Sequence, residues 1–320
     1  MLQLTRSKPI HRPRAGTQVG RVMRTKTATR LAMALPAVVW LFIFAYIPMF
    51  GIIIAFKDYR IADGIWGSAW SGLQNFRYLV STPAAWRAIR NTLVMNGVFI
   101  VSNTICSLVA SVLLYRVQRS IMARFYQAAM FFPYFVSWVI AAVFVLALLS
   151  TENGIANQVL ARAGVESVNW YASPQYWPAI LTTLNLWKGL GFWSIIYFAG
   201  LLGINEEYYE AAEVDGASRL QQALYITLPL LLPLVTVNVL LSVGRIFFAD
   251  FGLFFNVTRD QGMLYSATDV IDTFIYRSLT QTRNIGFAAA GGFLRAVVGF
   301  VLVLGSNLLA HRIHPDRALF

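Results

Sequence analysis
The 320-residue chain contains one cysteine, three histidines and 14 acidic residues, and each scarcity removes a class of chemistry. Cys106 lies in an apolar run with no second thiol to pair with, so an internal disulfide is excluded and redox chemistry has no support. The histidines, His11, His311 and His314, all fall near the two ends. The spacing of His311 and His314 could hold a metal, but Arg312 and Pro315 beside them read as a solvated tail. No Ser or Cys has a histidine partner within the apolar runs, which leaves nucleophilic hydrolysis without a base. Nucleotide chemistry is equally thin. No G-x-x-x-x-G-K-S/T loop occurs, and Gly189 to Gly191 is a bare G-x-G inside an apolar run, without the strand and helix of a dinucleotide site. The sequence predicts a chain that is not an enzyme and holds no metal or cofactor of its own.

Charge is scarce too. Charged residues make up 12% of the chain and hydrophobic ones 58%, with a mean hydropathy of +0.59, whereas soluble domains are roughly a quarter charged. This is a membrane composition. The net charge of +12 is concentrated at the start, where Arg6, Lys8, Arg12, Arg14, Arg21, Arg24, Lys26 and Arg30 meet no acidic residue. Next to an apolar run such a tail reads as a cytoplasmic anchor. Nucleic acid is not expected as a partner, because the tail lacks aromatic side chains to stack on bases. The run that follows is far longer than the roughly 7–15-residue core of a cleaved signal peptide.

A bilayer core of about 30 Å takes roughly 20 helical residues. Six runs qualify: 31–56, 91–115, 125–150, 178–205 (broken only by Lys188), 220–249 (uncharged as far as Gly244) and 287–310 (broken only by Arg295). The expected fold is therefore all-α, a six-span membrane domain over 31–310 between a basic tail, 1–30, and a short tail, 311–320. With both termini inside, the inner segments hold 14 Lys and Arg against 10 in the longer outer ones, as the positive-inside rule asks. Pro36, Pro48, Pro133, Pro229 and Pro233 mark kinks within the spans. Of the outer loops, 66–90 reads as an amphipathic interfacial segment, and 250–287 is the longest and most acidic.

The inner loop 206–219 departs from the pattern, with Glu206, Glu207, Glu210, Glu213 and Asp215 against the single Arg219. Asn205 is a good N-cap, carboxylates in the first turn suit the positive end of the helix dipole, and Ala211 and Ala212 give a small-residue face. Gly216 then supplies a stop and reversal. A short helix across the mouth of the bundle, smooth on one side and acidic on the other, is suited to docking something.

This loop resembles that of the inner-membrane permease subunits of ABC importers, which share Glu-Ala-Ala, three residues, Gly, nine residues, Ile, one residue, then Leu-Pro. Here Glu210, Ala211, Ala212, Gly216, Ile226, Leu228 and Pro229 stand at that spacing, with Asp215 and Ala217 flanking the glycine. Gly72 to Phe76, Trp86, Asn91 and Thr92 resemble the segment before the second span in maltose-type carbohydrate permeases. The stretches Ile47 and Pro48 to Gly51, Phe56 to Tyr59, Asp269 to Thr273, and Tyr276 and Arg277 are similar to a branch linked to polysaccharide-derived sugars, alginate among them. The resemblance implies a type I importer permease fold in the bacterial inner membrane. It implies alternating access, with a solute-binding protein delivering an oligosaccharide to this chain and a second permease subunit. A pair of ATPase subunits would carry ATP and Mg and receive loop 206–219 as a coupling helix.

Lys188 lies about ten residues into its span, roughly 15 Å deep, where a charge costs at least ~2.5 kcal/mol. It must face a cavity or a partner, either ligand or a carboxylate or carbonyl of the second permease subunit. Asn185, Trp187 and Trp193 stand near it, and rings with amides suit sugars while the ammonium would suit an acidic one. Asn238 and Arg245 are further candidates for the substrate path, although an intramembrane Asn also serves helix packing and Arg245 and Arg295 can snorkel. The alternative is a secondary, ion-coupled sugar transporter. It would need carboxylates at membrane depth, and none falls within the six runs.

Overall fold
The computed structural model describes the backbone of residues 29–313 and the side chains of residues 29–308. Most of the basic tail, 1–28 with His11, and the side chains of His311 and His314 lie outside the described residues. The chain divides after Ile53. Helix α1, Thr29–Phe56, takes up the first unit and runs into the second. Pro48 shapes it, because a proline ring collides with the carbonyl four residues back and offers it no donor. The turn Phe42–Tyr46 widens into a π-helix in which the Ile47 N–H reaches Phe42 O, five residues back.

The second unit opens with strands β1, Lys57–Asp58, and β2, Ala69–Trp70, paired antiparallel. Helix α2, Gln74–Ser81, carries Asn75, whose amide donates to Ala55 O at 2.9 Å and Lys57 O at 3.0 Å. Helix α3, Pro83–Arg116, begins ahead of the uncharged run and takes in Arg87 and Arg90. Pro83 sits at its first position, where a missing N–H costs nothing. The expected interfacial segment 66–90 is thus a strand, a helix and the start of a span.

The third expected span, 125–150, is two helices, α4 (Ile121–Phe131) and α5 (Trp138–Leu149), at 97° to one another. Pro133 opens a 3-10 turn, and the Ser137 hydroxyl then accepts from Ile140 N–H to cap α5. A fresh N-cap turns a kink into a break. Helix α6, Ile155–Arg162, leads to α7, Trp177–Leu202, which packs along α3 in the most extensive helix pair of the fold. Gly191 of α7 abuts the α4 backbone so closely that a Cβ would overlap the Met130 carbonyl, a small-residue contact of the kind that membrane helices use. Gly191→Ala should therefore cost about 1–3 kcal/mol, read as a lower melting temperature in detergent. An unchanged melting temperature would remove this account of the contact.

Helix α8, Glu207–Val214, leaves α7 at 75°. Helix α9, Arg219–Gly244, repeats the proline device of α1: the segment Ala223–Thr227 is π-helical and the Leu228 N–H, just before Pro229, reaches Ala223 O. It ends at Gly244, against Val303, earlier than the expected 249. Helices α10, Ile271–Thr280, and α11, Ile285–Ile313, complete the chain. By length and composition α1, α3, α9 and α11 can each cross a bilayer, and the bent pairs α4–α5 and α7–α8 bring the number to six.

The main correction concerns the segment between α9 and α10, which the sequence presents as an outer loop. It folds back into the bundle. Leu253, Phe254, Val257, Leu264 and Val270 form the main core cluster with Met95, Phe99, Val145, Trp177 and Leu181. Asn96 makes the return possible by donating to Ile246 O at 2.6 Å and Phe248 O at 3.3 Å, so the backbone that leaves α9 is satisfied from α3.

Candidate functional site
The acidic loop is a closed, capped unit. Asn205 Oδ1 accepts from the Glu207 N–H at 3.1 Å while its amide donates to the Glu207 carboxylate at 3.0 Å, so it caps the first turn even though α8 proper starts at Glu207. Glu207 and Glu210 lie at the positive end of the helix. At the other end Gly216 takes φ +80°, Ala217 N–H bonds Ala212 O at 2.8 Å and Gly216 N–H bonds Glu213 O at 3.0 Å, the paired closure of a Schellman motif. Two residues later a capping box starts α9: Ser218 N–H donates to Gln221 Oε1 at 2.7 Å and Gln221 N–H to Ser218 Oγ at 3.4 Å. The Ser-x-x-Gln pattern of Ser218 and Gln221 is the sequence signal that marks this start.

Side-chain contacts tie loop 206–219 to the bundle. Arg119 forks onto both oxygens of Glu206 at 3.2 and 3.1 Å, and Arg116 donates to Arg219 O at 3.2 Å. Inside them the Tyr209 hydroxyl meets Thr227 Oγ1 at 2.9 Å, beside the Tyr115 ring at 5.9 Å. Burial pushes the Tyr209 phenol above the ordinary tyrosine range, against the pull of the Thr227 bond. A groove of about 440 Å³ lies behind α8, lined by Arg116, Arg119, Tyr209, Glu210, Glu213 and Thr227 among others. Glu210, Ala211 and Asp215 are exposed, Ala212, Ala217 and Ile226 are half-buried, and Leu228 and Pro229 are exposed. Val214, an apolar side chain, is 88% exposed.

Deeper in the bundle, Lys188 finds partners within its own chain. Its ammonium donates to Tyr134 O at 2.9 Å and to Val136 O, and lies 5.3 Å from the Trp138 ring. These are carbonyls of the α4–α5 break, so the charge satisfies backbone that the bend frees. The Trp138 indole in turn donates to Asp250 at 2.6 Å, and that carboxylate acts on the Lys188 charge. A carboxylate therefore sits beside mid-span residues after all, brought there by the returning segment. Asn185 accepts from Asn103 at 2.6 Å, and Gly189 leaves room for Asn103 and Trp193. The Tyr197 side chain is buried in α7, with Thr104 of α3 and Asn238 of α9 near its hydroxyl. Trp187 is 42% exposed. Arg245 is exposed and forms no ion pair among the described residues.

At the end of α3 away from α8, the stretch Asp269 to Arg277 builds a charge network. Asp269, 1% exposed, receives Arg277 and, at 3.2 Å, Arg87. Arg277 also pairs with Asp260 at 2.7 Å and lies over the Tyr265 ring. Burial works against the Arg277 charge, but Asp269 and Asp260 outweigh it and raise its pKa above the usual value. Arg295 does not snorkel. It pairs with Asp272, whose other oxygen accepts from Ala249 N–H at 2.9 Å.

Apolar spans that are bent or broken, with a short acidic helix closed at both ends between two of them, are the architecture of a membrane transport subunit. Residues 102–315 match the binding-protein-dependent transport system inner membrane components. The chain is 30% identical over 283 residues to the polygalacturonan/rhamnogalacturonan transport system permease protein YteP of Bacillus subtilis, covering 88% of this chain and 87% of that one. It is 29% identical to the arabinooligosaccharides transport system permease protein AraP of Halalkalibacterium halodurans, over 72% of each. Among solved structures it superposes with TM-score 0.83 and 32% identity on a chain of a bacterial ABC transporter involved in the import of the acidic polysaccharide alginate, covering 92% of this chain and 99% of that one. The alginate transporter in complex with its alginate pentasaccharide-bound periplasmic protein gives TM-score 0.81 and 32% identity, covering 94% and 98%. The chain belongs to the family of binding-protein-dependent transport system inner membrane components, and it is a sugar ABC importer permease. Ion-coupled secondary transport is set aside.

Proposed function
We propose that this permease moves an acidic oligosaccharide, alginate-like in charge, and that α8 is its coupling helix. In this reading both termini are cytoplasmic, α8 docks in a groove of one ATPase subunit, a second permease subunit completes the path, and a binding protein delivers sugar from the opposite face. ATP and Mg belong to the ATPase pair. The chain's own part is mechanical. Glu210 pairs with a basic residue of the ATPase, Ala211 and Ala212 permit close approach, and Asp215, Gly216 and Ala217 reverse the chain into the Ile226 to Pro229 turn. The observation that supports this is the doubly closed helix with Glu210, Ala211 and Val214 exposed.

Substrate would pass Asn185, Trp187, Lys188, Trp193 and Asn238 on its way to or from Arg245. The two cations divide the work, because Lys188 is engaged by carbonyls whereas Arg245 has no carboxylate partner among the described residues. Arg245 is thus the better ligand for a uronate, which it can hold through a bidentate fork. In proteoliposomes with the full complex, Arg245→Gln should lower uptake of uronate oligomers about tenfold, the effect of losing one charged hydrogen-bonded contact, and leave ATP hydrolysis by the assembled complex in place. Equal uptake by variant and wild type would end the acidic-sugar reading of Arg245. Lys188→Met should lower the melting temperature as well as transport, since it strips two carbonyls of their donor.

A further inference from the structure
We propose that the Tyr209–Thr227 hydroxyl pair is the link through which displacement of α8 is passed into the fifth span. The proposal rests on the reading of α8 as the coupling helix. A helix docked on a moving partner transmits that motion only through contacts that survive the motion. The contacts that tie loop 206–219 to the bundle differ in this respect. Arg119 to Glu206 is an exposed pair, with side chains 84% and 56% accessible, and exposed pairs are weak and screened by salt. Arg116 to Arg219 O is exposed as well. Tyr209 to Thr227 is the inward one: Thr227 is 5% exposed, Tyr209 is half-buried and the Tyr115 ring lies against it.

Its position along α9 matters more than its burial. Thr227 is the last residue of the π-helical segment Ala223–Thr227, and Pro229 and Pro233 follow within the next two turns. This is where the regular hydrogen-bond ladder of α9 is interrupted, so it is the point where the helix can bend at least cost. A pull applied at Thr227 therefore re-aims the remainder of α9. Eleven residues on, Asn238 stands beside the buried Tyr197 of α7, with Thr104 of α3 also near that ring's hydroxyl. A tilt of α9 about its π segment would reach α7 and α3 at that point, and Lys188 and Asn185 stand on the same helix about two and a half and three and a third turns nearer its start. Tyr209 and Thr227 are positioning residues in this scheme and touch neither nucleotide nor sugar.

The test uses the complete transporter, with its second permease, ATPase subunits and sugar-loaded binding protein, in proteoliposomes. The variants Tyr209→Phe and Thr227→Val keep shape and remove the bond. Each should lower sugar moved per ATP hydrolysed about fivefold, the factor one hydrogen bond supplies, while the subunits co-purify in wild-type proportion. The double variant should be no worse than either single one, because both remove the same contact, and Thr227→Ser should restore the wild-type ratio. An unchanged transport-to-hydrolysis ratio in both single variants, or additive losses in the double variant, would overturn the link. Glu210→Lys is measured alongside to separate the two claims. If it abolishes transport while Tyr209→Phe and Thr227→Val do nothing, the link fails and the coupling-helix reading stands. If Glu210→Lys is itself without effect, the coupling-helix reading fails, and the link with it.

Discussion
Glu210→Lys should abolish sugar uptake while the chain still inserts and folds. The side chain is exposed and makes no hydrogen bond or ion pair within the described residues, so its removal leaves nothing unsatisfied in the bundle. The local cost is the loss of a carboxylate from the first turn of α8, about 0.3–1 kcal/mol, which a helix closed by Asn205 at one end and Gly216 at the other can absorb. The effect at the docking surface is much larger. If Glu210 meets a basic residue of the ATPase, reversal replaces attraction by a like-charge contact worth several kcal/mol, and the coupling helix no longer seats. The expected results are a wild-type melting temperature for the permease, loss of the ATPase subunits on purification, and uptake at background. Transport-coupled ATPase activity at the wild-type level in the reconstituted variant would sink the assignment.

The loop's composition shows only five acids, one arginine and a glycine, and does not say what the helix docks on. What the sequence does carry is the local chemistry. Asn205, the first-turn acids and Gly216 do in the structure what their types predict, because capping and left-handed closure depend on a few neighbouring residues. Charge-free runs of about 20 residues likewise locate the spans, since the bilayer imposes one length on all of them. Two things escape a run-length reading. A break such as that at Pro133 and Ser137 leaves hydropathy unchanged, so 125–150 looks continuous although its halves stand at 97°. An apolar stretch as short as Leu253–Val257 is too brief to count as a span, yet it enters the core because Asn96 satisfies the backbone ahead of it. The same return carries Asp250 to Trp138 and places a carboxylate by Lys188. Lys188 is legible as a charge that needs a partner, but the partner is a pair of carbonyls freed by a bend to which hydropathy is blind.

Arg277→Met should produce the largest loss of stability of any substitution in the network at the far end of α3. Asp269 is 1% exposed and takes Arg277 on one oxygen and Arg87 on the other. Arg277 is the shared member, since it alone also pairs with Asp260, and the carboxylates that raise its pKa against the effect of burial hold it in the charged form. Methionine fills much of the same volume and leaves Asp269 with a single, partly exposed arginine, so the cost is that of an under-compensated buried charge, about 3–5 kcal/mol. The melting temperature of the purified permease should fall accordingly. Adding Asp269→Asn should recover most of the loss, because the amide removes the orphaned charge and its one oxygen can still accept from Arg87. If instead the double variant were less stable than Arg277→Met, the arginine would be acting through its packing on the Tyr265 ring and not through charge. The network ties α3 to α10, and Arg295 to Asp272 ties α10 to α11. Recovery by charge removal would then identify this end of the bundle as a rigid platform, against which α8 and the π-helical start of α9 can move.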